Sequence, residues 1–141
     1  MKKISQWLTI FALLALLTAC GSEANLPYKN INNDELQTML DQNVTLIDIR
    51  RPEEWKQTGV IANSKTMTFF FKNGQVNPDF IPWFQQTISD KNQPVILICR
   101  TGNRSKTASD FIAKSMAYTH VYNVRRGITG WISEKRVVTH Q

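Results

Sequence analysis

The sequence predicts one α/β domain with a mainly parallel central sheet and helices on both faces. Three observations point there. Strand-like apolar runs alternate with helix-like segments. The two strongest runs, Val44 to Ile49 and Val95 to Ile98, are nearly continuous in apolar residues, as strands buried on both faces are. The chain has 141 residues, enough for one domain and not comfortably for two.

The elements follow in order. Lys2 and Lys3 precede an apolar run from Trp7 to Leu17, interrupted only by Thr9. Spanning a bilayer takes ~20 apolar residues, so this run suits the core of an export signal better. It closes on Leu17-Thr18-Ala19-Cys20-Gly21, which resembles the bacterial lipobox. The resemblance implies cleavage before Cys20, a diacylglycerol on its thiol and an acyl group on its new amine. Several chains at ~0.8 kcal/mol per buried methylene anchor stably where one does so marginally. Residues 1–19 are therefore expected to be a signal peptide, 20–29 a tether, and 30–141 the folded domain. Gly21 is not the aspartate associated with inner-membrane retention. The expected location is the cell envelope, lipid-anchored at Cys20, on the outer membrane facing the periplasm in a Gram-negative organism.

Asn33 is a plausible N-cap for a helix from Asp34 to Asp41, with acids in its first turn and Leu36, Met39 and Leu40 on one face. Val44 to Ile49 reads as a buried strand. Pro52 opens a short helix, Glu53 to Gln57, which Gly59 stops. Asn77 or Pro78 starts a helix reaching about Ile88, with Phe80, Ile81 and Phe84 facing inward. Pro94 precedes the most hydrophobic strand, Val95 to Ile98. Arg104 to Met116 forms a helix with Ala108, Phe111, Ile112 and Met116 on one stripe. Val121 to Val124 is a last strand, and Gly127, Gly130 and Trp131 mark a turn into a short terminal helix.

Composition narrows the function. Seventeen basic and eleven acidic residues give a charge of +6. Removing Lys2 and Lys3 leaves fifteen against eleven, or +4. No dense basic stripe with interleaved aromatics accompanies this surplus, so nucleic acid is not an expected partner. The surplus fits a small anionic substrate about as well as it fits plain solubility. Two cysteines, Cys20 and Cys99, are too few for a disulfide framework, and His120 and His140 lie far from any second ligand. No metal or cofactor is expected.

The segment that carries chemistry is Ile98-Cys99-Arg100-Thr101-Gly102-Asn103-Arg104-Ser105. It places a cysteine at the carboxyl end of the most buried strand, then a tight loop, then a helix. Ligands bind at such junctions in open α/β sheets. Successive loop N–H groups converge on an anion, the helix N-terminus adds partial positive charge, and Arg104 adds a full charge. All three favour the thiolate of Cys99 over its thiol. With Cys20 acylated, Cys99 has no partner thiol in the chain, which argues against a dithiol mechanism.

This loop resembles the active-site loop of the rhodaneses, the sulfurtransferases. Leu46-Ile47-Asp48-Ile49-Arg50, followed by Glu54-Trp55 and Gly59-Val60-Ile61, resembles that family's first signature, and Arg126-Gly127-Ile128-Thr129-Gly130-Trp131 its closing one. The resemblance runs from about Ile31 to Glu134. It implies a rhodanese-like domain in which Cys99 takes sulfur from a small anionic donor such as thiosulfate, becomes a persulfide, and passes sulfur to cyanide or a thiol. The backbone and side chains of Arg100, Thr101, Gly102, Asn103, Arg104 and Ser105 would hold the anion. Asp48 and Arg50 would lie under the loop, mainly as a structural ion pair, with Glu54 pairing to Arg50. Arg100 and Lys106 would lie at the rim. Val60 stands where the family usually has histidine, and Asn63-Ser64 where it has Gly-Ala.

Two alternatives compete. Some rhodanese-like domains carry a persulfide or bind partners without turnover. Cysteine phosphatases and arsenate reductases use a similar device, but the phosphatase loop is one residue longer between cysteine and arginine. The four residues from Arg100 to Asn103 make a smaller cradle, better suited to one sulfur atom.

Overall fold

The computed structural model describes residues 25–140, so the expected signal peptide, lipobox and Cys20 lie outside the described residues. The chain alternates β1 (Lys29–Ile31), α1 (Asn33–Asp41), β2 (Thr45–Asp48), α2 (Pro52–Thr58), β3 (Lys65–Thr66), α3 (Phe80–Thr87), β4 (Val95–Ile98), α4 (Asn103–Ser115), β5 (Val121–Val124) and α5 (Gly127–Ser133). The strands form one parallel sheet in the order β1-β5-β4-β2-β3. The α/β class expected from the alternation is the one observed.

β4 lies at the centre and all four of its residues are buried. Successive side chains of a strand point to opposite faces, and β4 feeds two cores. Val95 and Leu97 join Phe80, Phe84, Ala108 and Ile112 under α3 and α4. Ile96 and Ile98 join Leu36, Leu46, Ile128 and Trp131 under α1 and α5. Burial of each large apolar side chain stabilises the fold by about 1.5–3 kcal/mol, so the two faces together fix the level of β4 in the sheet. Phe69 belongs to the first core, packing edge-on against Phe70 at 4.6 Å and Phe80 at 4.8 Å. Its neighbour Phe71 is exposed.

The local chemistry shifts several boundaries. The cap of α1 is Asn32 rather than Asn33. The Asn32 side chain accepts from the N–H groups of Asp34 and Glu35, both at 2.9 Å, and the Glu35 carboxylate accepts the Asn32 N–H in return. Asn33 is a buried helical residue. Helix α3 begins at Phe80, because Asn77 is used as an anchor. Its amide donates to the Thr68 carbonyl at 3.0 Å while its side-chain oxygen accepts the Asp79 N–H. Helix α4 begins one residue early, at Asn103. The strands β1 and β3 are edges of two or three residues containing Lys29, Asn30, Lys65 and Thr66, and no apolar run marks them. Tyr28 is buried beside the α3–α4 core. The folded unit therefore takes in Tyr28 and Lys29, which the sequence assigns to the tether.

The C-terminal tail closes the fold. Val60 is buried and exchanges two backbone hydrogen bonds with Thr139, at 2.9 and 2.8 Å. Arg136 stacks over Trp131 at 5.1 Å and pairs with Asp34 and Glu134. Among the described residues no helix is long and apolar enough to cross a membrane.

Candidate active site

The central strand β4 delivers Cys99 to the carboxyl edge of the sheet, where the chain turns through Arg100, Thr101 and Gly102 into α4. Cys99 is 1% exposed and packs at the margin of the α3–α4 core. Its sulfur is nevertheless not an apolar filler. The Gly102 N–H and the Ser105 hydroxyl both donate to Sγ at 3.2 Å. The Ser105 hydroxyl also lies 3.3 Å from the Gly102 carbonyl, so its proton is shared between that oxygen and the sulfur.

The loop is shaped by what lies beneath it. The Ile128 and Thr129 N–H groups, in the first turn of α5, donate to the carbonyls of Cys99 and Arg100 at 2.9 and 3.0 Å. In a trans peptide the C=O and N–H point in opposite directions. Drawing those two carbonyls toward α5 turns the N–H groups of Arg100 and Thr101 away from it, the alignment an anion cradle needs. The close approach requires glycine. Gly127 has φ +55°, and a Cβ there would lie 2.5 Å from the Cys99 oxygen and from the Arg100 carbonyl. Gly102 has φ +94°, and its Cβ would meet the Arg125 oxygen at 2.1 Å. The sequence marks Gly127 as a turn residue within the closing signature but does not show this contact, because it depends on backbone that lies far away in the chain.

Gly127→Ala is therefore expected to destabilise the domain by ~3 kcal/mol or more, since backbone must move as well as strain. Gly74 has φ +84° but nothing near its Cβ position, so Gly74→Ala is expected to cost only ~1–2 kcal/mol. Urea unfolding of the two variants checks the difference.

Arg50 is completely buried. Its Nε and Nη2 hold both oxygens of Asp48, at 2.7 to 3.0 Å, and its other donors reach the Gly59 carbonyl at 2.8 Å and the Thr58 hydroxyl at 2.7 Å. Asp48 also accepts the indole N–H of Trp55 at 3.1 Å. This network joins the end of β2 to the middle and the C-terminal end of α2. The expected pairing of Glu54 with Arg50 is corrected here: Arg50 reaches only the Glu54 main-chain oxygen, at 3.4 Å. The Glu54 carboxylate instead takes Arg104 in a two-point grip, 2.8 Å to Nη1 and 2.6 Å to Nη2. It is the only buried side chain of α2. The partner lies fifty positions away in sequence, and only the fold brings the two together.

The comparisons with known proteins fit this arrangement. The family described as Rhodanese-like domain matches residues 32–134. The chain belongs to the rhodanese-like domain family. This rhodanese-like domain is 34% identical over 105 residues to an uncharacterized protein, the RP600 homolog of Rickettsia rickettsii, covering 72% of this chain and 85% of that one. It is 24% identical over 114 residues to the thiosulfate sulfurtransferase GlpE of Pseudomonas fluorescens, covering 81% and 94%. A crystal structure of a rhodanese-related protein of Thermoplasma volcanium superposes with a TM-score of 0.62 at 27% identity, covering 81% of this chain and all of that one.

Within the rhodanese-like domain, Arg100, Thr101 and Asn103 are exposed, Gly102 and Ser105 are buried, and Arg104 is half-buried. Lys106 is exposed. A cleft of about 220 Å³ opens beside the loop between α2 and α5, lined by Glu54, Gln57, Thr58, Arg100, Ile128 and Ile132 among others. The segment from Thr66 to Asn77 lines a second groove on the far side of α2, with Arg51, Trp55 and the exposed Phe71. Among the described residues no trio of His, Cys, Asp or Glu is placed to hold a metal.

Burial opposes ionisation of Glu54, but the hydrogen bonds from Arg104 and from the Arg51 N–H outweigh it and hold the carboxyl at about 2. The same bond to Glu54 raises Arg104. The folded value lies below the ordinary 4.5, so the pair stabilises the fold fully above that pH and progressively less as pH falls toward 2. In a urea titration the unfolding midpoint is expected to fall through this window, and to fall less steeply in Glu54→Gln.

Proposed function

We propose that this rhodanese-like domain is a sulfurtransferase that moves sulfane sulfur from an anionic donor such as thiosulfate to cyanide or a thiol through a Cys99 persulfide. The observation that carries the reading is a thiol at the β4–α4 junction, the only one among the described residues, whose sulfur receives an N–H and an O–H donor at 3.2 Å. A relative named thiosulfate sulfurtransferase supports it.

In the first step the Cys99 thiolate attacks the outer sulfur of thiosulfate. A Cys99–sulfur bond forms, the donor's S–S bond breaks, and sulfite leaves with the electron pair. In the second, the acceptor attacks the terminal persulfide sulfur and the Cys99 thiolate departs. The charge is conserved in both steps and no external oxidant is needed. The Gly102 N–H and Ser105 hydroxyl stabilise the sulfur anion before and after transfer. The N–H groups of the first turn of α4, which have no intrahelical partner, and those of Arg100 and Thr101 take the donor's oxygens, with the Arg100 side chain at the rim. Arg104 serves through its grip on Glu54 rather than as a free cation.

A second reading, a persulfide carrier without turnover, draws on the 1% exposure of Cys99, which leaves little room for rapid exchange at the sulfur. We further propose that the chain is exported and held at the membrane through acylated Cys20, on the strength of its lipobox-like segment.

One experiment tests these readings together: intact mass of the protein extracted from membranes, before and after thiosulfate. The expected mass lacks residues 1–19 and carries acyl groups at Cys20. It gains one sulfur atom with thiosulfate, and Cys99→Ser gains none. An unchanged wild-type mass would remove the sulfurtransferase reading. Loading without release to cyanide would favour the carrier.

A further inference from the structure

Resting on the sulfurtransferase reading, we propose that Glu54 sets the charge of the accepted donor: by cancelling Arg104 it leaves Arg100 as the uncompensated cation of the cleft and fits the site to singly charged sulfane donors, persulfide or thiosulfonate anions, over dianionic thiosulfate.

The geometry supports each part. The two terminal nitrogens of Arg104 each hold one oxygen of Glu54, so the charge of this guanidinium is balanced by a carboxylate in direct contact. Glu54 cannot swing aside cheaply. Its Oε2 also accepts the Arg51 N–H at 3.1 Å, the reciprocal contact that starts α2. Its side chain is 9% exposed. The carboxylate stays ionised at every pH where the enzyme would work. Arg104 does not itself line the cleft; of the cations that do, Arg50 is neutralised by Asp48. Arg100 is exposed and makes no ion pair with any described residue. Lys106 does not line the cleft.

A guanidinium tied in an ion pair acts on a passing anion as a dipole, and its field falls off faster than that of a bare charge. The second negative charge of thiosulfate therefore meets little compensation. A thiosulfonate presents the same sulfane sulfur with one charge. The Cys99 thiolate attacks that sulfur, the bond to the sulfonyl sulfur breaks, and a sulfinate leaves with the electron pair. Glu54 acts here through Arg104 and is a positioning residue.

The test measures kcat/KM for thiosulfate and for benzenethiosulfonate, with cyanide as acceptor, on the full chain in detergent. Wild type should favour benzenethiosulfonate. In Glu54→Gln the thiosulfate-to-benzenethiosulfonate ratio should rise by roughly tenfold, the effect of one added charge at low effective dielectric, and the gain should shrink in high salt. Glu54→Asp should keep the wild-type ratio. Arg100→Gln, at an exposed site, should fold normally and lose most of the salt dependence of thiosulfate turnover, an arm that stands even if Glu54→Gln does not fold. The inference is overturned if folded Glu54→Gln loses both donors in equal proportion, or if Arg100→Gln keeps the wild-type salt dependence. A wild-type protein that takes sulfur from neither donor overturns the sulfurtransferase reading, and this inference with it.

Discussion

Cys99→Ser should abolish thiosulfate:cyanide turnover while leaving the fold in place. The substitution replaces one small buried atom by another that accepts the same two donors, the Gly102 N–H and the Ser105 hydroxyl. Stability should therefore change by no more than about 1.5 kcal/mol. The hydroxyl is a far weaker nucleophile, and no other thiol stands near it among the described residues. Loss of a covalent nucleophile typically costs ~10⁴-fold or more. Steady-state assays on wild type should show the parallel lines of a double displacement, and the variant should show only background. Residual turnover within about tenfold of wild type would mean that the sulfur moves without Cys99.

The second large effect concerns stability. Arg50→Met should cost about 3–5 kcal/mol, because it leaves the Asp48 carboxylate buried without its cation. Asp48 is 1% exposed and keeps only the Trp55 indole and a main-chain N–H. The Gly59 carbonyl and Thr58 hydroxyl lose a donor as well. At ~4 °C per kcal/mol for a domain of this size, between the values for smaller and larger domains, the thermal midpoint should drop by about 12–20 °C. Replacing both partners, Asp48→Leu with Arg50→Met, should recover at least half of the loss, since no bare charge then remains in the interior. Calorimetry on the two variants decides it. A double variant as unstable as the single one would mean that the pair matters for its bonds to α2 rather than for charge balance.

What the sequence makes legible is what periodicity and punctuation encode. Val95 to Ile98, flanked by Pro94 and a polar loop, announces a buried central strand, and with it the position of Cys99. Pro52 and Gly59 bracket α2 because one fits a helix start and the other stops it. The edges β1 and β3 leave no such mark, since a strand of two or three mostly polar residues is defined by its neighbour's backbone. The Asn32–Asn33 doublet hides the cap, as either side chain could serve until the Glu35 carboxylate chooses Asn32. At the site, the identity of the loop residues is readable but their partners are not. Arg104 looks like a free cation until Glu54 is brought to it, and Gly127 looks like a turn until the Cys99 carbonyl lies against it.

All the strands run the same way, and that has a consequence for how the molecule stands. The chain enters the domain at Lys29 on one pole of the sheet, while the sulfur sits at the opposite pole, past Ile98. Whatever precedes Lys29 therefore joins the sheet at the pole remote from the reactive sulfur, and leaves the mouth of the loop unencumbered by the entering strand.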